Sequence, residues 1–357
     1  MQILMIVQEL NESSWVRGFI ADWARSLARQ PQVEQLHILA LELGQFTPPP
    51  NVSVYSMGKE GGKNRARELL RFYQVLGRLI GGVDVIFSHM TPRYVWLAAP
   101  LARLYGKPQA LWFIHPKPSA ELKLALACCT WALTATPQSF PLASPKVHPL
   151  GHGVDAQKFA PDPSIPLDTP PLILSVGRLT PIKQHHVLLE AAAKLKAAGG
   201  GAQFAIIGGA AAPGDAAYEA QLLARRAELG LSEADFRLLG PLPAAEVITW
   251  TQRATLVANL TPPGSFDKAA LEAMLMAKPL LTPNPNFEDV LGGEGEFLRL
   301  AHPLSGEAVA EKMAVLLALP PSERARMGEA LRERVAARHG LEALMGRLVG
   351  LLAAQKV

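Results

Sequence analysis

Cysteine is nearly absent: two residues in 357, the adjacent Cys128 and Cys129. Neighbours in the chain do not readily meet disulfide geometry, and two thiols alone cannot complete a four-ligand zinc site. A disulfide-built scaffold is excluded, and the pair reads as small buried hydrophobes in a reducing compartment. Charge is sparse too, at 18% of residues against 49% apolar. That balance suits packed cores and not a disordered chain. Gly (29) and Pro (30) make 59 of 357 residues, under the disordered range of roughly 25–30%. Long apolar runs are missing: the nearly uncharged stretch 124–136 falls short of the about 20 residues a membrane span needs. The start, Met-Gln-Ile-Leu-Met-Ile-Val, has no basic region and reads as a first strand, not a signal peptide. The net charge of +4 is too mild to imply nucleic acid. No metal cluster is visible, since His185 and His186 are adjacent and cannot converge on one ion as i, i+4 ligands do.

What is present is an alternation. Strands are expected at 3–7, 36–41, 52–56, 83–87, 110–114, 131–135 and 146–150, with helices at 13–29, 64–80 and 92–105. A Gly/Pro-rich stretch at 151–171 reads as a linker. A second set follows, with strands at 172–176, 203–207, 236–239, 255–258 and 279–281 and helices near 184–198, 215–230 and 267–277. The chain is mostly helical from about residue 305. Strands alternating with helices indicate parallel α/β sheets. The length suggests about two domains: 1–160, 161–340 and a terminal helix 341–357 that packs back on the first.

The most informative segment is Ser175-Val-Gly-Arg-Leu-Thr-Pro-Ile-Lys. A strand ends at Gly177, a loop holds Arg178, and a helix is expected near Pro181 with Lys183 in its first turn. Helix starts attract anions and disfavour cations, so two cations there suggest a diphosphate clamp; the plainer alternative is a surface Arg and Lys with no ligand. The second segment is Pro262-Pro-Gly-Ser-Phe-Asp-Lys-Ala-Ala-Leu-Glu. Gly264 and Ser265 allow close backbone approach. Glu272 stands among apolar helix residues, where a carboxylate is either solvated or holds a polar partner such as a ribose diol. His89 and His115 each close a strand region, where open sheets bind ligands and where structural histidines also occur. Ile207-Gly-Gly-Ala-Ala-Ala-Pro-Gly lacks G-x-G-x-x-G spacing, which argues against a dehydrogenase. Between 59 and 78 stand six basic and two acidic residues. They form either a solvated face or a contact with an anionic membrane surface.

Both loop segments resemble the retaining GT-B glycosyltransferases of family 4. Arg178 and Lys183 match that family's diphosphate-contacting Arg and Lys. Glu272 matches the second Glu of its E-x7-E motif, which binds ribose. Gly264 stands where the first Glu is usual, and Phe266 is kept. The Gly-Ser-Phe-Asp-Lys form resembles a subgroup of the family, with Asp267 as a local replacement for the missing acid. His115 matches the sugar-facing His, and 151–159 is similar to the interdomain hinge. The first loop departs, with Glu9-Leu-Asn-Glu-Ser-Ser-Trp-Val-Arg-Gly in place of adjacent glycines and Gly18 inside the expected helix. The resemblance implies two Rossmann-like domains facing across a cleft. It implies a metal-independent, retaining hexosyltransferase that needs no cofactor and uses a nucleoside-diphosphate sugar as donor. The acceptor is then a glycan or lipid-linked molecule in envelope or surface glycan synthesis. The implied location is cytoplasmic, with peripheral contact at the inner membrane face through 59–78 and no nucleic-acid partner. In that assignment Arg178, Lys183, His115 and Asp267 are catalytic, and Gly177, Gly264, Ser265, Phe266, Lys268 and Glu272 join Arg178 and Lys183 in holding the donor. The alternatives are a GT-B nucleotide-binding protein without transfer activity and a sugar-nucleotide epimerase.

Overall fold

The computed structural model describes residues 1–14, 16–115, 117–210, 215–262 and 267–354. The chain divides into two compact α/β units, residues 1–155 with 338–357, and residues 156–337.

The first unit holds a sheet of β1 (Gln2–Leu10), β2 (Gln35–Leu43), β3 (Val52–Ser56), β4 (Val85–His89), β5 (Gln109–Trp112), β6 (Trp131–Thr134) and β7 (Val147–Pro149). All neighbours are parallel and the order is β3-β2-β1-β4-β5-β6-β7. Residues 3–7 of β1 are wholly buried on both faces, which is why they read as an unbroken apolar run. Ile3, Met5 and Val7 face one core and Leu4 and Ile6 the other. On the first face packs α1 (Phe19–Ala28), and on the second pack α2 (Arg65–Leu79) and α3 (Pro92–Leu104). Between β5 and β6 lies α4 (Ala120–Cys128), a helix the sequence pattern did not single out.

The second unit holds β8 (Leu172–Val176), α5 (His185–Ala197), β9 (Gln203–Ile207), α6 (Asp215–Glu228), β10 (Phe236–Leu238), α7 (Ala244–Arg253), β11 (Leu256–Ala258), α8 (Lys268–Leu275) and β12 (Leu280–Leu281). Its parallel sheet runs β10-β9-β8-β11-β12. The short helices α9 (Glu288–Leu291) and α10 (Gly295–Leu298) precede α11 (Gly306–Ala318), α12 (Pro321–His339) and α13 (Leu341–Ala353).

The chain crosses between units after Asp155 and again after Ala337. Leu344, Met345, Leu348 and Val349 of α13 are fully buried in the α1 core of the first unit. Glu342 ties this end to α1 by accepting from Ser26 Oγ (2.9 Å) and Arg29 Nη2 (2.6 Å). The first part of the Gly/Pro-rich stretch is built into this unit: Gly153 and Val154 donate backbone N–H groups to the His339 carbonyl at 3.0 and 2.8 Å.

The first helix starts later than its apolar spacing suggests, at Phe19 with Gly18 as its N-cap. Gly18 donates to the Ser14 carbonyl at 2.7 Å. A Cβ there would lie 2.6 Å from that oxygen, so the turn ahead of α1 requires glycine.

Candidate functional site

In each sheet one strand has neighbours reached by connections of opposite sense. Open α/β sheets bind ligands at that point, beyond the carboxyl ends of the strands. In the second unit it falls between β8 and β11. The loop after β8 carries Arg178 and Lys183, and the loop after β11 leads to Asp267.

Arg178 is exposed on a loop fixed at both ends. Gly177 donates to the Ile207 carbonyl (2.9 Å) and Leu179, itself buried, donates to the Gly209 carbonyl (3.1 Å). Gly208 lies so close beneath that a Cβ would stand 1.8 Å from the Gly177 oxygen. Any side chain at 208 would therefore push the Arg178 loop out of place. The buried His185 ring contacts the Arg178 carbonyl through Nε2 at 3.3 Å, and burial lowers its pKa to about 4.

Lys183 is not in the first turn of the α-helix. Pro181–Lys183 form a 3-10 turn, Gln184 is left-handed at φ 51°, and α5 begins at His185. A left-handed residue cannot continue a right-handed helix, so the break at Gln184 sets Lys183 just ahead of it. Its stem lies over Gly177, where a Cβ would come within 3.3 Å of Lys183 Cε. The ammonium forms an ion pair with Asp267 and donates to Thr261 Oγ1 at 3.3 Å. Both charged side chains are shielded, at 12% and 10% exposure.

Asp267 caps α8, accepting from the Ala269 N–H at 3.3 Å. It also accepts from Asn259 Nδ2 (2.7 Å) and Thr261 Oγ1 (3.3 Å). Burial pushes its carboxyl upward. The charge of Lys183 and the bonds from Lys183 and Asn259 outweigh that and hold it below the usual range. One turn on, Glu272 pairs with Lys268 at 3.2 Å. Its side chain is 19% exposed, and burial raises its pKa despite Lys268. Thr180 Oγ1, His185 Nδ1 and Asn259 Oδ1 are buried without a partner among the described residues, which marks a polar site with bonding capacity to spare.

Residues 157–334 match the family described as Glycosyl transferases group 1. This segment is a glycosyltransferase group 1 domain of GT-B type. Solved structures similar over the whole chain have the same GT-B architecture. Anabaena Alr3699/HepE in complex with UDP is 16% identical with a TM-score of 0.75, covering 99% of this chain and 100% of that one. The same protein in complex with UDP-glucose gives 16% and 0.74 over 99% and 100%. Sucrose-phosphate synthase from Thermosynechococcus elongatus gives 16% and 0.77 over 99% and 98%. A comparison with curated proteins returned no match.

Within the glycosyltransferase domain, the structure brings Lys183, Asp267, Lys268 and Glu272 to one end of α8, with Arg178 on the adjoining loop held by Gly177. Gly264, Ser265 and Phe266 lie outside the described residues. His115 belongs to the first unit, exposed just beyond β5, where its Nδ1 accepts from the Lys117 N–H at 3.1 Å. His89 is a core residue: it packs edge-on against Trp23 at 4.8 Å, and burial lowers its pKa to about 3. The sequence reading missed Asn259, Thr261, His185 and Gly208. The available signal was polar residues directly after β11 and paired glycines directly after β9.

Proposed function

We propose that the protein transfers a hexose from a nucleoside-diphosphate sugar to a glycan or lipid-linked acceptor, with retention at the anomeric carbon and without a metal. The observation that carries this is the Arg178 loop and the Lys183–Asp267 pair at the β8/β11 switch point of a glycosyltransferase domain. HepE was solved with UDP and UDP-glucose, which supports a nucleotide-sugar donor here. Charge builds on the leaving diphosphate as the sugar departs, and preplaced cations stabilise it. An ammonium has three N–H donors. Asp267 and Thr261 occupy two of those on Lys183, which leaves one for phosphate. Asp267 thus acts as a positioning residue that aims Lys183. Arg178 offers a planar fork of donors suited to phosphate oxygens. Thermal-shift screening of nucleoside diphosphates and their sugars, followed by transfer assays with the hits, tests the reading. Ligand-induced stabilisation that Arg178→Ala reduces is expected; absence of any stabilisation overturns it.

In this reading Glu272 accepts from a ribose diol. Bonds to a charged acceptor contribute about 1.5–3 kcal/mol, so Glu272→Gln should weaken nucleoside-diphosphate binding roughly tenfold or more. The check is a comparison with the 2′,3′-dideoxy nucleotide. Wild type should prefer the ribonucleotide and Glu272→Gln should not; an unchanged preference overturns the role.

Envelope glycan synthesis at the inner membrane face is part of the same proposal. No helix among the described residues is long and apolar enough to cross a membrane. On α2, however, Leu69, Leu70 and Tyr73 are 41%, 59% and 37% exposed, and exposed Arg71 and Arg78 flank them. Apolar residues beside cations suit an anionic lipid surface. The protein should sediment with anionic vesicles at low salt, not with neutral ones, and Arg71→Gln with Arg78→Gln should reduce this. Sedimentation indifferent to lipid charge would sink the membrane contact.

A further inference from the structure

The first unit has its own switch point, between β1 and β4. A pocket of about 250 Å³ opens there. It is lined by four cations, Arg17, Lys59, Arg65 and Arg93, against two carboxylates, Glu68 and Glu121. We propose that this pocket binds a phosphate monoester, and that the phosphate belongs to the acceptor. That the phosphate belongs to the acceptor rests on the glycosyltransferase reading; the anion site stands on the pocket itself.

Three of the cations are steered by carboxylates. Arg17 Nη1 contacts Glu9 at 3.0 Å, Lys59 Nζ contacts Glu42 at 2.6 Å, and Arg93 Nε contacts Glu121 at 3.0 Å. Each keeps donors to spare, because a guanidinium has five N–H groups and an ammonium three. Their side chains remain 43%, 29% and 53% exposed, so water or a ligand reaches them. The Arg65 side chain is exposed and makes no hydrogen bond or ion pair with a described residue. At the pocket's edge α3 begins with Pro92, and the Thr91 side chain does not cap it. The positive end of the helix therefore adds to the field. Gln8 donates to the Met90 carbonyl at 3.1 Å and braces the two strand ends across the floor.

The arrangement favours phosphate over carboxylate. A carboxylate presents two coplanar oxygens and is met by one fork. A phosphate monoester carries about −1.5 to −2 at pH 7 and three terminal oxygens. It uses cations arriving from the β1 loop, the β3–α2 connection and the α3 start together. The volume lies below the roughly 300–1,000 Å³ of a full small-molecule site, so the pocket takes the phosphate and the atoms beside it, not a whole oligosaccharide.

The test is calorimetric titration of the full chain with inorganic phosphate, glucose 6-phosphate, soluble dihexanoyl phosphatidic acid, glucose and glucuronate. The three phosphates should bind, glucose should not, and glucuronate should bind more weakly. The tighter binder of the two organic phosphates distinguishes a sugar phosphate from a lipid phosphate as the natural source. Arg65→Gln with Arg93→Gln should weaken phosphate binding roughly tenfold or more. Arg65→Gln alone breaks no observed pair, so it serves as the variant that leaves folding untouched. Arg332→Gln, on α12 and paired only with Glu329, should leave this binding unchanged. Binding lost in Arg178→Gln and kept in Arg65→Gln/Arg93→Gln would put the anion in the second unit and overturn the pocket while leaving the donor reading intact. Absence of phosphate binding, or equal binding of glucuronate, also overturns it. A protein that binds glucose 6-phosphate here but no nucleoside diphosphate would keep the pocket and lose the donor reading.

Discussion

Lys183→Ala should cost about 3–5 kcal/mol of stability and abolish sugar transfer, because it leaves Asp267 as a buried charge without its counter-ion. The two side chains are only 12% and 10% exposed, so solvent cannot replace the lost partner. Adding Asp267→Asn removes the stranded charge while keeping a group that bonds to Asn259 and Thr261. The double variant should recover a large part of the stability and none of the transfer. Urea unfolding of wild type, both single variants and the double variant closes the cycle. A double variant as unstable as Lys183→Ala would show that the pair is not the origin of the loss. The pH dependence has a definite sign. The Asp267 carboxyl is held below its usual range. Its contribution is present above the unfolded-state pKa and is lost as pH falls through the depressed folded value. That acid-side loss should be smaller in the double variant.

Arg178→Ala should show the opposite division: stability within about 0.5 kcal/mol of wild type and transfer reduced on the order of 10²–10³-fold. Arg178 is exposed, and its place is set by backbone bonds at Gly177 and Leu179, which alanine keeps. What alanine removes is the guanidinium that the proposed function assigns to the leaving diphosphate. Arg178→Lys should recover part of the rate, since a point charge replaces a fork. Transfer and unfolding measured on the same preparations check this. Wild-type transfer by Arg178→Ala would remove Arg178 from the mechanism.

These two residues mark how far the chain could be read as text. Arg178 follows an apolar strand and a glycine, and Lys183 follows it within a short loop. Both lie in one local segment, and local order is what sequence spacing encodes. The start of α5 was less legible because it depends on the left-handed Gln184, a conformation no residue pattern there announces. The start of α1 failed for a related reason: the apolar spacing from residue 13 continues through a turn that Gly18 makes possible. Asn259 and Thr261 were overlooked because their importance comes from Asp267, which sits beyond a loop and has meaning only once α8 is folded.

The sequence by itself determined the two α/β units, the parallel strands and the segment that holds Arg178 and Lys183. Central strands must be apolar on both faces and loop cations stand out against them. Tertiary structure alone decided that Lys183 meets Asp267, 84 residues on. It alone brought four cations, from the β1 loop, the β3–α2 region and the start of α3, around one pocket at the β1/β4 switch point. Such contacts join residues whose spacing along the chain carries no period, and they exist only after the sheets have set the strand order.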